Sequence, residues 1–89
     1  MTTSDESIRA RIRHRIIELA SELRHDASSL GDDELIPQSG VLDSAAILAL
    51  IIWCEAEFGV VLELEEINLE NFGTIARMSS HLSSLLPEE

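Results

Sequence analysis

Apolar residues recur every three or four positions in the first quarter of the chain, and this spacing predicts an amphipathic helix over about residues 4–24. Thr3 to Glu6 have the form of a capping box, in which Thr3 is the N-cap and Glu6 reaches back to it. The helix is expected to end near Arg24 or His25. Its apolar face comprises Ile8, Ile12, Ile16, Leu19, Ala20 and Leu23.

A long connection follows, from Asp26 to Asp43, rich in Ser, Asp, Gly and Pro. Gly31, Pro37 and Gly40 are expected to break any regular element within it. A connection of this length in a compact domain needs a reason, such as packing or function. We expect an ordered loop that is pinned to the core by Leu30, Leu35, Ile36, Val41 and Leu42.

The pattern predicts three more helices after this loop. The second helix stops at Gly59, a residue type common just after a helix end, and an extended link at residues 60–62 leads to a short third helix. Thr74 is the expected N-cap of the fourth helix, and Pro87 ends it. Because 89 residues leave no room for a second core, we expect a single domain, 1–89, with helices at about 4–24, 44–58, 64–70 and 74–86.

The charge of the chain is strongly acidic, with 17 acids against 6 bases and a net charge of -11. Such a surface repels phosphate backbones and anionic lipids, which argues against nucleic-acid and membrane partners. It attracts basic protein surfaces. Five of the six bases lie in the first helix region, where we expect them to be solvated and partly offset by Glu18 and Glu22 through i,i+4-type pairs.

Cys54 is the only cysteine, which excludes an internal disulfide and a multi-thiolate metal site. Its apolar neighbours indicate a small core residue. The longest apolar run, Ala45 to Cys54, is too short to span a bilayer. Met1 to Glu6 is polar and acidic, unlike a signal peptide, so we expect a cytoplasmic location.

The second helix is apolar on nearly every side. At 100° per residue, its core face comprises Ile47, Leu50, Ile51, Cys54 and Phe58. Its outer face comprises Ala45, Leu48, Ala49, Ile52 and Ala56, with Glu55 at the edge. A bundle of this size cannot enclose one helix completely, so we expect the outer face to be exposed and to dock a partner. The alternative is that the long loop or a second copy of the chain covers it.

Ser44 lacks the neighbours of a hydrolase nucleophile. Its surroundings are not a G-x-S-x-G elbow, and the spacing of His14, His25 and His81 places no base beside it. We therefore expect the histidines to be surface residues and the protein not to be an enzyme.

The acidic run Asp32, Asp33 and Glu34 does not have the spacing of a calcium-binding loop. No dedicated metal site is expected there, although weak divalent binding by a solvated acidic loop stays open.

Asp43 and Ser44 stand where a helix N-cap is expected, and such a cap contributes about 1 kcal/mol. A serine at a helix N-terminus is also well placed to carry a phosphodiester, because the dipole and the free N–H groups favour an anion. The hydroxyl would then need no catalytic neighbours, because a modifying enzyme would supply them.

Three segments carry a family resemblance: Gly40-Val41-Leu42-Asp43-Ser44, then Glu57-Phe58-Gly59-Val60 at the end of an apolar helix, then Glu65 to Ile75. In these segments, and in its length, acidity and order of elements, the chain resembles the acyl carrier protein family over roughly residues 8–86. That family includes peptidyl and D-alanyl carriers.

The resemblance implies an all-α fold, a right-handed four-helix bundle of acyl-carrier type with a long first loop and a short third helix. It implies that Ser44, in a motif with Asp43, is the covalent attachment point of 4′-phosphopantetheine, transferred from coenzyme A by a phosphopantetheinyl transferase. The arm would hold an acyl or aminoacyl group as a thioester, and the protein itself would catalyse nothing.

The implied partners are that transferase, an adenylating ligase or acyltransferase that loads the arm, and a downstream synthase or transferase. We expect a monomer that docks these enzymes through Ala45, Leu48, Ala49, Ile52, Glu55 and Ala56. If the cargo lies in a groove between helices 2 and 3, Ile52, Val60 and Leu62 are expected near the start of that groove.

Two features of the sequence differ from the usual pattern of the family. Ala45 stands where a larger apolar residue is usual after the serine, and the outer face of the second helix has few of the acids seen in fatty-acid carriers. The pattern is closer to stand-alone aminoacyl, D-alanyl or secondary-metabolism carriers. Ala45 also leaves an alternative function open, an unmodified helical interaction module with a carrier-like fold.

Overall fold

The computed structural model describes residues 5–86. These residues form five α-helices and one 3-10 turn and contain no strand, so the all-α, carrier-type fold is confirmed. In chain order the elements are α1 (Asp5–Glu22), α2 (Ile36–Ser39), α3 (Ser44–Phe58), the 3-10 turn η1 (Leu64–Glu66), α4 (Leu69–Phe72) and α5 (Ile75–Leu85).

The apolar face of α1 is part of the core, as its spacing indicates. Ile8, Ile12, Ile16, Leu19 and Ala20 are all buried. The helix ends at Glu22, about two residues before the expected end. Thr3, the expected N-cap, lies outside the described residues.

The arginines of α1 do not behave as a simple solvated face. Arg9 and Arg13 both bind the carboxylate of Asp32 in the long loop, and Arg11 binds Glu57 at the end of α3. The expected i,i+4-type offset was therefore incomplete, because long guanidinium side chains reach partners on other elements. A local pair does occur between Arg15 and Glu18, at a distance of 3.3 Å.

The long loop is packed, but it contains a helix that we did not expect. Pro37 lies in the first turn of α2, and Gly40, with φ 79°, follows its last residue. The sequence predicts that both residues break regular structure. They bound the element instead, because proline is tolerated in a first helical turn and glycine readily adopts a left-handed conformation after a last one. The buried apolar residues of the loop are Ala27, Leu30, Ile36 and Leu42.

The expected short third helix is divided into two pieces. Residues 67 and 68 interrupt it, because the Asn68 side chain accepts a hydrogen bond from the Asn71 N–H and so starts α4 as a separate helix. α5 begins after Thr74, whose hydroxyl accepts from the Arg77 N–H at 3.0 Å. That cap is the one the sequence indicates.

One cluster of buried side chains joins α1, α3, α5 and the loop. The α5 residues in it are Ile75, Met78 and Leu82. Ser79 is also buried on α5, and its hydroxyl bonds to Asp5 at the start of α1. Backbone hydrogen bonds tie the loop to the start of α5, since the Ile36 N–H donates to the Gly73 carbonyl and the Ala76 N–H donates to the Asp32 carbonyl. The loop therefore has a fixed path up to the residue before α3.

Candidate functional site

Asp43 caps the start of α3. Its backbone is extended, and its side chain accepts a hydrogen bond from the Ala46 N–H at 2.8 Å. Its carbonyl accepts from the Ile47 N–H at 2.9 Å. Ser44 follows as the first residue of the helix, and it is exposed.

The N-terminus of α3 is suited to an anion. The first N–H groups of a helix lack partners within it. The Asp43 side chain takes up one of these groups, the Ala46 N–H, and the Ile47 N–H already makes the first regular helical bond, to the Asp43 carbonyl. Within residues 5–86 the N–H groups of Ser44 and Ala45 have no acceptor. The positive end of the helix dipole adds to this donor set. The exposed hydroxyl and the two free donors fit a phosphodiester on the serine.

The segment before Ser44 is held by side chains. The Ser39 hydroxyl donates to the Ile36 carbonyl at 2.6 Å and accepts from the Val41 N–H at 3.3 Å. The Val41 carbonyl lies 3.1 Å from Nδ1 of His25. Leu42 is buried in the core. The chain therefore enters α3 along a defined path.

The two faces of α3 differ in exposure as its pattern predicts. Leu50, Ile51, Cys54 and Phe58 are buried on the core face, and Ile47 is half-buried. On the outer face Leu48 is 55% exposed and Ile52 is 56% exposed. Ala45 and Ala56 are also exposed, and Ala49 is half-buried. The long loop leaves these side chains uncovered, so one of the two alternative covers is excluded.

Glu55, at the edge of the outer face, has a structural bond. Its carboxylate accepts from the Leu62 N–H at 3.0 Å and so holds the link that follows α3. Arg11 packs over the ring of Phe58 at 4.5 Å and also binds Glu57. The far end of α3 is therefore fixed to both neighbouring elements.

An apolar cleft of about 220 Å³ lies beside the core face of α3. It is lined by Pro37, Ile47, Ile51, Ile67, Asn68, Leu69 and Phe72. The residues that we expected near such a groove, Ile52, Val60 and Leu62, do not line it. Ile52 points outward and Leu62 is buried in the core, so the expectation does not hold for this cleft, and the position of a cargo groove stays a prediction.

Cys54 is a core residue, as its neighbours indicate. It is fully buried, and this burial raises the pKa of its thiol to about 12. A thiol in this state is neither a nucleophile nor a metal ligand at neutral pH.

The histidines do not all lie on the surface. His14 and His25 are exposed. His81, however, is largely buried, with its Nε2 2.8 Å from a carboxylate oxygen of Glu66 and its ring against Phe72. The expectation of three surface histidines is therefore wrong for His81, because the 3-10 turn folds over it.

The acidic loop has no metal-binding arrangement. Asp32 binds two arginines. The hydrogen bond from Arg13 has the larger effect and that from Arg9 the smaller, and together they hold the pKa of the Asp32 carboxyl below its usual value. Across residues 5–86 no group of three or more candidate ligands comes together.

Comparison with models of protein families identifies the family of the chain. The model of a family described as "phosphopantetheine attachment site" matches residues 14–82, which include the long loop, α3 and most of α5. The chain belongs to this family. The resemblance to acyl and peptidyl carriers is thereby confirmed. Comparisons with curated proteins and with solved structures found no match for this carrier.

Family membership defines the general role of the carrier. Members carry covalently attached 4′-phosphopantetheine, so the protein is a phosphopantetheine-bearing carrier and not an enzyme. Carriers of this kind interact with a phosphopantetheinyl transferase and with the enzymes that use their cargo. Among residues 5–86, no helix has the length and apolar character needed to cross a membrane.

Three features near the site were missed in the sequence. The contact of His25 with Val41 joins residues 16 apart, and no local pattern predicts it. The Ser39 bonds could have been found, because serine commonly binds backbone groups two or three residues away in turns. The cleft depends on Phe72 and Pro37 meeting α3, which requires the tertiary fold.

Proposed function

We propose that this protein is a stand-alone carrier that holds an acyl or aminoacyl group as a thioester on a 4′-phosphopantetheine arm at Ser44 and presents it to partner enzymes. The observation that supports this most strongly is the placement of Ser44. It is exposed at the first residue of α3, beside two free N–H groups and after an Asp43 cap, in a chain of the phosphopantetheine family.

Each residue at the terminus has a distinct role in this proposal. The Ser44 Oγ forms an ester bond to the phosphorus that carries the pantetheine of coenzyme A, the pyrophosphate bond of coenzyme A breaks, and adenosine 3′,5′-bisphosphate leaves. The transferase supplies the base that takes the serine proton. The N–H groups of Ser44 and Ala45 and the helix dipole stabilise the resulting anion. Asp43 keeps the first turn of α3 formed. The terminal thiol of the arm supplies the thioester chemistry when it is present.

The outer face of α3 supports a proposal about docking. Ala45, Leu48, Ala49, Ile52, Glu55 and Ala56 would meet the phosphopantetheinyl transferase, a loading adenylating ligase or acyltransferase, and a downstream synthase or transferase. Because Leu48 and Ile52 are more than half exposed and Glu55 is bound to Leu62, we propose that contact is mainly apolar. This favours aminoacyl, D-alanyl, peptidyl or secondary-metabolism partners over fatty-acid synthase partners.

We also propose that residues 1–89 form a single domain, that the protein is a monomer and that its location is cytoplasmic. The alternative function, an unmodified interaction module, uses the same outer face but leaves Ser44 without an arm.

Intact-mass measurement after incubation with coenzyme A and a broad-specificity phosphopantetheinyl transferase separates these functions. The carrier account predicts one added arm on the wild type and none on Ser44→Ala. Ser29→Ala is the matched control, since Ser29 is an exposed loop serine, and it should gain the arm fully. A wild type that gains no mass with several transferases would contradict the carrier account.

A further inference from the structure

The end of α1 adopts a strained conformation that places His25. The His25 N–H donates to the Ala20 carbonyl and the Arg24 N–H donates to the Ser21 carbonyl. These two bonds form a Schellman motif, in which the penultimate residue is left-handed. That residue is Arg24, with φ 64°, the one non-glycine residue with positive φ within residues 5–86. A left-handed backbone conformation is energetically unfavourable for residues other than glycine.

His25 connects this strained turn to the segment that leads into α3. Its Nδ1 lies 3.1 Å from the Val41 carbonyl oxygen. A carbonyl oxygen only accepts hydrogen bonds, so Nδ1 must carry the proton and donate it. On its other side, the Val41 N–H donates to the Ser39 hydroxyl. Both backbone groups of Val41 are therefore held by side chains.

We propose that His25 is a positioning residue for transfer of the arm to Ser44. This inference rests on the proposed function and deepens it. Through its bond to Val41, three residues before Ser44, His25 fixes the segment that a phosphopantetheinyl transferase must recognise. His25 itself need not touch the arm or the reacting atoms.

The expected kinetic effect follows from what the bond controls. Leu42 is buried and Asp43 caps α3, so the helix start survives without His25. The segment before α3 becomes more mobile without this bond. Only a fraction of the molecules then have the conformation that the transferase binds. A smaller competent fraction weakens apparent affinity in proportion. The carrier's KM should therefore rise while kcat stays unchanged.

Two substitutions test the position of the donor. In His25→Asn the amide nitrogen sits on Cγ, as Nδ1 does in histidine, so it can still reach the Val41 carbonyl. In His25→Gln the amide nitrogen is one atom further along and cannot take the same place. For transfer from coenzyme A, we expect Asn to keep the wild-type KM and Gln to raise KM by roughly three- to ten-fold, the size of one hydrogen bond.

Several outcomes would overturn the proposal. An equal rise in KM in both variants would mean that the imidazole ring itself is needed. An unchanged KM in both variants would mean that the bond to Val41 is irrelevant. A fall in kcat rather than a rise in KM would assign His25 to the reaction step. Thermal unfolding of both variants shows whether either one is misfolded. If His25→Gln is misfolded, His25→Ala replaces it as the variant without the donor, and the tautomer measurement tests the bond without either substitution.

A spectroscopic measurement checks the geometry without any transferase. Long-range ¹H–¹⁵N spectra of neutral His25 should show the proton on Nδ1, because Val41 offers only an acceptor. A proton on Nε2 would contradict the proposal. Failure of the proposed function is distinguished from failure of this inference, because in the first case the wild type itself gains no arm.

Discussion

Arg24 and Gly59 follow the ends of two helices, and they show how single residues limit stability. Both have a left-handed backbone, with φ of 64° and 65°. Arg24 is the second residue after α1, and the N–H groups of Arg24 and His25 donate to the Ser21 and Ala20 carbonyls. Gly59 directly follows α3, and the N–H groups of Gly59 and Val60 both donate to the Glu55 carbonyl. The sequence indicated the second position through its glycine, whereas nothing local marked the arginine as left-handed.

Exchanging residue types at these two positions should change stability in opposite directions. Arg24→Gly relieves the left-handed strain and should raise the free energy of unfolding by about 1 kcal/mol. Gly59→Ala introduces the same strain. Because the added Cβ would meet no other atom within 4 Å, the strain acts without a clash, and the free energy of unfolding should fall by about 1 kcal/mol. Urea unfolding of the two variants measures both effects. A loss of stability in Arg24→Gly would contradict the strain at that turn.

At the scale of elements, prediction from the sequence worked where the signal was local. The bounds of α3 coincide with the expected 44–58, because Asp43 and Gly59 are strong cap signals at its two ends. Prediction failed for α2, where Pro37 and Gly40 were interpreted as breakers. A four-residue helix has too few turns to show a period. Its position is set by the hydrogen bond from the Ile36 N–H to the Gly73 carbonyl and by the burial of Ile36 in the core.

The cap of α3 gives a prediction at this scale. Asp43→Ala removes the acceptor of the Ala46 N–H and should lower the free energy of unfolding by about 1 kcal/mol. Asp43→Asn keeps an acceptor in the same place and should remain within a few tenths of a kcal/mol of the wild type. Equilibrium urea unfolding checks both values. An equal loss in the two variants would assign the role of Asp43 to its charge rather than to capping.

At the scale of the whole molecule, the sequence could not reveal which distant groups meet. The ion pairs of Asp32 with Arg9 and Arg13 join residues 23 and 19 positions apart. The cleft beside α3 combines α2, α3 and α4. Such contacts follow from packing rather than from periodicity. The sequence predicts the fold class, the candidate serine and its place at the start of α3, but not the contacts of His25 and Ser39 that hold the segment before it.

The ion pairs of the Asp32 carboxylate predict that the stability of the fold decreases in acid. Arg13, then Arg9, lower the pKa of Asp32 in the folded state below the ordinary value of 3.8. A lowered folded pKa means that the stabilisation is present above pH 3.8 and is lost as pH falls through the folded value. Asp32→Asn should therefore be less stable than the wild type at pH 7, and the gap should narrow at pH 2 to 3.

Urea unfolding across this pH range measures the gap. Asp33→Asn serves as a control because Asp33 is exposed and bonds to neither arginine. A gap between wild type and Asp32→Asn that stays constant with pH would show that the ion pairs do not couple to folding.

The outer face of α3 predicts how partners bind despite the net charge of -11. If docking is mainly apolar, replacing both Leu48 and Ile52 by Ala should raise the KM for a phosphopantetheinyl transferase by roughly ten-fold. Leu85→Ala, on α5 and also exposed, should change it little. The wild-type KM should vary only weakly between low and high salt. A steep rise of KM with salt would show that charge pairing dominates.

The central claim, that Ser44 carries the arm, is tested most directly by locating the added mass within the chain. Arg77 is the only Arg or Lys after Arg24, so trypsin releases residues 25–77 as one peptide that contains Ser44. Fragmentation of this peptide after transfer should place the phosphopantetheine on Ser44. Phosphopantetheine on Ser28, Ser29 or Ser39, or an unmodified peptide, would contradict the account.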